Sequence, residues 1–352
     1  MIGGHGNFGA RICRALAEDA DLEVLPAGRS PQAALRLDTG AADFPERLQR
    51  ARPHLVVHCA GPFQGQDYRV ARAALAARAH YIDLADGRDF VAGFAARLND
   101  EAKAAGRLAL SGASTLPALS SAVVDHLAGR FRVLRAVEIA IAPGQRAPRG
   151  TATVAAVLGY CGRPFKWLSD GEWRDAWGWQ ELERLRFAGA GRRWAAACDV
   201  PDLALFPTRY RALRTVHFRA ALEFSLQHLA LWLAAALRRC GVPLPLEDWA
   251  RPLERIASTL DRFGGERAGM RVAVTGEKAD GNAARAEWHL TVDAVRGPEI
   301  PCLAAVLLSR KLARQTPDEP GAFACMGFLR LADFEAEFSP LGITTTIEEH
   351  PA

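Results

Sequence analysis

The residues most able to do chemistry stand at the start of the chain, in Gly3-Gly4-His5-Gly6-Asn7-Phe8-Gly9. Gly4-x-Gly6-x-x-Gly9 has the spacing of a dinucleotide-binding turn. The first glycine permits the tight turn and the second lets backbone approach a pyrophosphate. The third lets the following helix pack closely, with its N-terminal amides aimed at the anion. Asn7 and Phe8 lie inside the turn and are read with the glycines as cofactor contacts. Arg29, twenty residues after Gly9, stands with Ser30 where NAD-preferring folds place an acidic residue. A guanidinium grips a phosphate bidentately, so this pair predicts NADP over NAD; the plain alternative is a solvated arginine in a turn.

Two further groups fall where an open α/β sheet binds ligands, at the carboxyl ends of its strands. Ala60-Gly61-Pro62 closes the fourth expected strand, and its backbone is expected to line the path to a nicotinamide. Tyr81, Asp83 and Asp86 end the fifth. Hydride transfer to a C=O or C=N bond needs a nearby proton donor, which a tyrosine or a carboxyl of raised pKa can supply. Asp83 and Tyr81 are thus the catalytic candidates; the alternatives are a strand-end Asp bonding loop amides and a Tyr that simply packs. His58, His80 and Cys59 read as structural. Lys166, beside Trp167, reads as a surface lysine or as a holder of an anionic substrate.

These residues need a parallel sheet to position them, and the pattern supplies one. Ala10–Ala17 is amphipathic at helical spacing. Leu22–Leu25, Leu35–Leu37, His54–Cys59, Tyr81–Leu84 and Leu108–Leu110 read as strands, with helices over 68–78 and 89–105. Ser114 is expected to cap a helix carrying Pro117 in its first turn. Only Met1 and Ile2 precede the glycines, where a buried strand of about five residues is expected. The expectation is therefore that the chain begins late, and an upstream-extended chain tests it through stability and cofactor binding.

After residue 130 the pattern changes. Val133–Ala142 alternates as a half-buried strand. A Trp-rich stretch follows, then helices over 219–240 and 246–263. Met270–Thr275 and Ala286–Val292 read as strands paired through Asp280-Gly281-Asn282, and Ile300–Leu312 as a helix that returns to the first domain. The expected fold is α/β: an N-terminal doubly wound Rossmann domain over 1–130, an α+β substrate or dimerisation domain with a mixed or antiparallel sheet over 131–300, and a C-terminal segment over 301–352.

Composition narrows the function classes. The chain has 352 residues, a net charge of +4 and no basic block, which argues against nucleic acid. Seven scattered cysteines without CxxC or Cys/His spacing argue for reduced thiols in a cytoplasmic protein without a metal site. Ala220–Leu237 carries Glu223, Gln227 and His228, which suits a buried or interfacial helix better than a membrane span. Leu226, Leu229, Leu233 and Leu237 read as a packing stripe or a dimer seam.

Three segments together resemble the saccharopine dehydrogenase-like family. They are Gly4–Gly9; Val56–Phe63 with His80-Tyr81-Ile82-Asp83-Leu84; and Ser111–Pro117 with Leu119-Ser120-Ser121. The resemblance is clear over 1–130 and looser beyond. It implies a Rossmann domain, a second α/β domain with substrate and dimer contacts, and an NAD(P)-dependent oxidoreductase. Where relatives carry a Thr-Gly-Glu-like turn after the fifth-strand Asp, this chain has Ala85-Asp86-Gly87, which puts a catalytic acid in that turn in doubt. The substrate-carboxylate arginines of true saccharopine enzymes are not found.

The resulting reading is an NADPH-dependent reductase of a C=N, C=O or activated C=C bond in a small metabolite, working as a homodimer. The alternatives are a non-catalytic dinucleotide-binding scaffold and a membrane-surface, trans-acting enoyl reductase of lipid synthesis. A short-chain dehydrogenase is disfavoured, because no tyrosine has a lysine four residues on.

Overall fold

The computed structural model describes residues 1–351 apart from Thr316 and Asp318. The chain divides into two compact units, one of Met1–Leu119 with Glu299–Phe334, the other of Ser120–Pro298 with Glu335 onward. The first unit opens with α1 (Asn7–Ala17), β1 (Ala27–Gly28), β2 (Leu35–Arg36), α2 (Phe44–Arg50), β3 (Leu55–His58), α3 (Arg69–Ala76), β4 (His80–Asp83), α4 (Arg88–Ala105) and β5 (Leu108–Ser111). The second holds α5 (Ser120–Ala128), β6 (Val133–Ala142), α6 (Thr151–Tyr160), β7 (Pro164–Ser169), β8 (Glu172–Trp177), β9 (Glu183–Phe187), β10 (Gly191–Ala197), α7 (Asp202–Arg209), β11 (Thr215–Ala221), α8 (Ser225–Arg239), α9 (Ala250–Thr259), β12 (Arg267–Glu277) and β13 (Ala283–Asp293). The chain then returns to the first unit with α10 (Ile300–Arg314) and β14 (Gly321–Ala324), and ends through α11 (Leu331–Phe338) and β15 (Thr344–Pro351).

The first unit is a doubly wound parallel sheet. β2 and β1 form one piece and β3-β4-β5-β14 the other, every pairing parallel. Ile2 joins them, bridging Ala27 on one side and His58 on the other. With Ile2 as first strand, the order is 3-2-1-4-5-6 plus one further strand, the Rossmann order. The inner strands are buried along their whole length, as helices on both faces require. Leu22–Leu25 is not a regular strand. Met1 N donates to Leu25 O at 3.0 Å, and Pro26 has no N–H to give.

The second unit is built on a nine-stranded mixed sheet with the path β15-β13-β12-β6-β11-β10-β9, and β7 and β8 attached beside β11. β6 pairs parallel with β11 and antiparallel with β12. β12 and β13 form the expected hairpin, closed at Gly281 with φ +85°. The Trp-rich stretch is the β7–β8 pair, with Trp167 opposite Arg174 and Trp177 opposite Pro164.

Three expectations are corrected. Residues 219–221 end a strand, because Val216 and Phe218 alternate with His217 and Arg219 at period two, and the helix starts only at Ser225. Pro117 is not in a first helical turn. Leu116 takes φ −122°, ψ 124°, since a residue before proline is pushed out of the α region, and α5 starts at Ser120. The leucine stripe of α8 does not pack inside the second unit: Leu226 is 82% exposed and Leu233 54%.

Candidate functional site

The glycine turn lies at the carboxyl end of Ile2, where the strand order reverses. Ile2 docks by donating its N–H to Val57 O (2.9 Å) and accepting from Cys59 N (2.9 Å). Gly3 then adopts φ +77°, a conformation that favours glycine, and a Cβ there would meet Ala60 N at 3.0 Å. Gly9 is required for a second reason. A Cβ on it would stand 2.2 Å from the Gly3 carbonyl oxygen, so only glycine lets α1 press onto the turn. Gly6 is the N-cap residue of α1. It offers no side-chain cap, and no acidic residue occupies the first turn. The positive end of α1 is thus left to an anion.

The sheet brings the other cofactor candidates to both flanks of this turn. Ala27 O accepts from Gly3 N (2.9 Å) and Gly4 N (3.3 Å), which ties the turn to the strand that ends at Arg29 and Ser30. Arg29 is exposed and makes no ion pair among the described residues. Ser30 Oγ is held locally, bonded to Gln32 Oε1 and accepting from Gln32 N at 3.2 Å. On the other flank Ala60, Gly61 and Pro62 follow β3. Gln66 Nε2 donates to Ala60 O (2.9 Å) and Pro62 O (2.6 Å), and this clamp fixes the loop.

One strand further, Asp83 and Tyr81 are almost wholly buried, 0% and 1% exposed. Asp83 Oδ1 accepts from Ala85 N (3.0 Å), Ser111 Oγ (3.0 Å) and Gly112 N (2.8 Å). Its Oδ2 has no hydrogen-bond partner among the described residues. Burial raises the carboxyl to about 6 against those donors, which favour the charged form. Tyr81 Oη lies 3.0 Å from His58 Nδ1. Burial raises the phenol well above its usual value, and lowers His58 to about 4, so the imidazole is neutral at physiological pH. Asp83 therefore ties the loop after β4 to the loop after β5. The carboxyl that reaches solvent at this edge is Asp86, accepting from Gln64 Nε2 at 3.2 Å.

Other candidates fall away. Burial lifts Cys59 to about 12, which leaves it an unreactive thiol. Lys166 pairs with Asp175 across the exposed β7–β8 hairpin at 3.1 Å. Trp167 stacks instead on His217, with ring centroids 3.9 Å apart. Among the described residues no His, Cys, Asp and Glu group has metal-site geometry. The clamp by Gln66, the Gln64–Asp86 pair and the His58–Tyr81 contact were not readable beforehand. Gln64 and Gln66 carry no motif, and His58 meets Tyr81 only through strand register.

No protein-family model and no curated protein sequence matches the chain. Solved structures do. Apo saccharopine dehydrogenase (L-Glu forming) from Saccharomyces cerevisiae superimposes with a TM-score of 0.70 at 12% identity, covering 99% of this chain and 98% of that one. The C. glutamicum DAP dehydrogenase in complex with DAP gives 0.52 at 17%, covering 95% and 97%. An engineered D-amino acid dehydrogenase bound to NADP+ gives 0.51 at 16%, covering 95% and 97%. Joined to the glycine turn at the switch point of a parallel sheet, these likenesses show that the chain has the fold of the saccharopine dehydrogenase-like NAD(P)-binding oxidoreductases.

Proposed function

We propose that the protein is an NADPH-dependent oxidoreductase of the saccharopine dehydrogenase type, acting on a C=N, C=O or activated C=C bond of a small metabolite. The observation that carries this reading is the uncapped α1 N-terminus with Gly9 pressed on Gly3, at the carboxyl end of the central strand. Gly4, Gly6, Asn7, Phe8 and Gly9 hold the pyrophosphate, Arg29 and Ser30 the 2′-phosphate, and Ala60, Gly61 and Pro62 line the nicotinamide. The bound cofactor supplies the hydride. The nature of the fold neighbours, dehydrogenases of amino acids, favours C=N chemistry among the three bonds.

Tyr81 and Asp83, buried as they are, act in this reading as positioning residues. Asp83 holds the loops after β4 and β5, Tyr81 bonds His58 at the end of β3, and Asp86 presents a carboxyl on the solvent side. The test is titration with NADPH and NADH, followed by turnover on a panel of imines, 2-oxo acids with ammonia, and enoyl substrates. NADPH binding with turnover supports the enzyme. Binding without any turnover favours the scaffold, and absence of binding removes both.

We place the enzyme in the cytoplasm as a homodimer. Its seven cysteines are all free thiols. The α8 leucines, with Ile256 61% and Phe263 63% exposed in the same unit, give it apolar surface to bury. The same surface favours a second reading, the membrane-surface enoyl reductase, because apolar side chains flanked by the exposed Arg239 and Arg262 suit an interface with anionic lipid. No described helix is long and apolar enough to cross a membrane. Co-sedimentation with anionic liposomes against solution mass separates the two.

A further inference from the structure

The 2′-phosphate proposed for Arg29 and Ser30 asks for more positive charge than one arginine carries. A phosphate monoester bears about −1.5 to −2 at neutral pH and offers three acceptor oxygens. One guanidinium takes two of those oxygens in its fork and supplies a single charge. Ser30 adds a hydroxyl but no charge. A second cation belongs at this end of β1, and the sheet register points to Arg36.

β1 and β2 pair in parallel, with Ala27 opposite Leu35 and Gly28 opposite Arg36. Leu35 N donates to Pro26 O (3.3 Å) and Leu37 N to Gly28 O (3.0 Å), so the ladder runs from Pro26 to the residue before Arg29. Side chains alternate along a strand, and laterally paired residues share a face. Pro26, Gly28 and Arg36 therefore stand on one face, and Ala27, Leu35 and Leu37 on the other. The face of Pro26 is that of the glycine turn, because a Cβ on Gly4 would stand 2.9 Å from Pro26 Cβ. Leu37, on the opposite face, is 2% exposed, whereas Arg36 is exposed.

The surface between the turn and Arg36 is bare: a Cβ on Gly28 would meet nothing within 4 Å. Gly28 lies about 6.6 Å along β1 from Pro26, and Arg36 about 5 Å to the side of Gly28. A nucleotide anchored by its pyrophosphate at the turn crosses this gap, with Arg29 at the strand end and Arg36 beside it. Arg36 makes no ion pair among the described residues. Asp38, two positions on, is occupied in accepting from Gly40 N at 3.0 Å.

We propose that Arg36 is a second specificity-determining arginine, which with Arg29 clamps the 2′-phosphate of NADPH between two guanidinium groups. The proposal rests on the NADPH reading above. The test is calorimetric titration of the full chain with 2′,5′-ADP, and with 5′-AMP as the nucleotide that lacks the 2′-phosphate. Arg36→Ala should weaken 2′,5′-ADP binding about tenfold or more, the loss of one hydrogen bond to a charged group, and leave 5′-AMP within about twofold. Arg36→Lys keeps the charge without the fork and should recover part of that loss. Arg36 is exposed, so both variants should keep the wild-type Tm. Undiminished 2′,5′-ADP binding by Arg36→Ala, or equal loss for both nucleotides, overturns the clamp; a wild type that still prefers 2′,5′-ADP then leaves the NADPH reading standing. A wild type that does not distinguish the two nucleotides removes the NADPH reading and the clamp together.

Discussion

Replacing Gly9 with alanine separates a structural glycine from a decorative one. Intrinsic propensity argues for the substitution, since alanine inside a helix is worth about 1 kcal/mol over glycine. Geometry argues against it more strongly. The new Cβ would stand 2.2 Å from Gly3 O, 2.9 Å from Gly3 C and 3.0 Å from Gly4 Cα, all backbone atoms that no rotamer change can move. Relief requires α1 to retreat from the turn. Overpacking of this kind costs about 1–3 kcal/mol, so the net effect is a lowered Tm. The retreat also withdraws the α1 amides from the phosphate they are proposed to hold. Loss of one hydrogen bond to a charged group costs about 1.5–3 kcal/mol, or roughly 10–100-fold in Kd for NADPH. Calorimetric titration and thermal melts measure both quantities. Gly28→Ala is the control, because a Cβ there meets nothing within 4 Å. It should leave stability within about 0.5 kcal/mol. A Gly9→Ala protein with unchanged Tm and unchanged NADPH affinity would refute the reasoning.

Arg29→Asp should weaken NADPH binding at least about tenfold more than NADH, since only the former carries the phosphate the guanidinium grips; equal loss removes the assignment. Asp83→Asn should be tolerated, because the amide oxygen can take the three donors now on Oδ1 and the nitrogen replaces the unpartnered Oδ2. Asp83→Ala leaves those donors buried and unmet, at about 1–3 kcal/mol each. Asp83 also sets a pH dependence. With its folded value raised to about 6 from 3.8, the folded protein keeps a proton that the unfolded chain releases. The resulting stability is full below about pH 4, is lost as pH rises to 6, and is on the order of 3 kcal/mol; urea melts of wild type minus Asp83→Asn over that range should show this fall, and a flat difference would contradict it. Lys166→Ala breaks an exposed ion pair and should change stability by less than about 1 kcal/mol and NADPH affinity not at all. Leu229→Glu with Leu233→Glu should halve the solution mass of a homodimer without lowering NADPH affinity; an unchanged dimer mass would place its seam elsewhere.

What could be read beforehand was local. Gly4-x-Gly6-x-x-Gly9 and Asp280-Gly281-Asn282 each fix a backbone turn by residue type alone, and both turns form, the latter with Asn282 N on Asp280 Oδ1 at 3.0 Å. The parallel strands at 55–58, 80–83 and 108–111 announced themselves as short apolar runs between helical periods. What was misread depended on partners far along the chain. Residues 219–221 looked continuous with the helix after them, and it is the pairing of Thr215–Ala221 with β6 and β10 that makes them strand. Asp83 read as an acid or, as is commoner for an Asp at a strand end, as an anchor. Its partners at Ser111 and Gly112 come from a strand 28 residues away, and nothing in the interval signals them.

The arginines show the same limit and a way past it. In an arginine-rich chain, no single guanidinium stands out by type. The fold, however, absorbs many of them. Arg271 and Arg285 both bond Glu287, with Arg285 reaching Glu138 as well. Burial works against the charge on Glu287, yet these partners and His289 hold it well below the usual carboxylate range. Arg193 donates to the carbonyls of Ala142, Pro143 and Arg267, and Arg310 and Arg314 share Asp19. Each of these charges is answered from within, so none needs a ligand to explain it. Arg29 is different in kind. It is exposed, makes no ion pair among the described residues, and leaves the strand whose Ala27 carbonyl holds Gly3 and Gly4. A cation without an internal partner, next to a helix N-terminus without a cap, is the arrangement an incoming phosphate would complete.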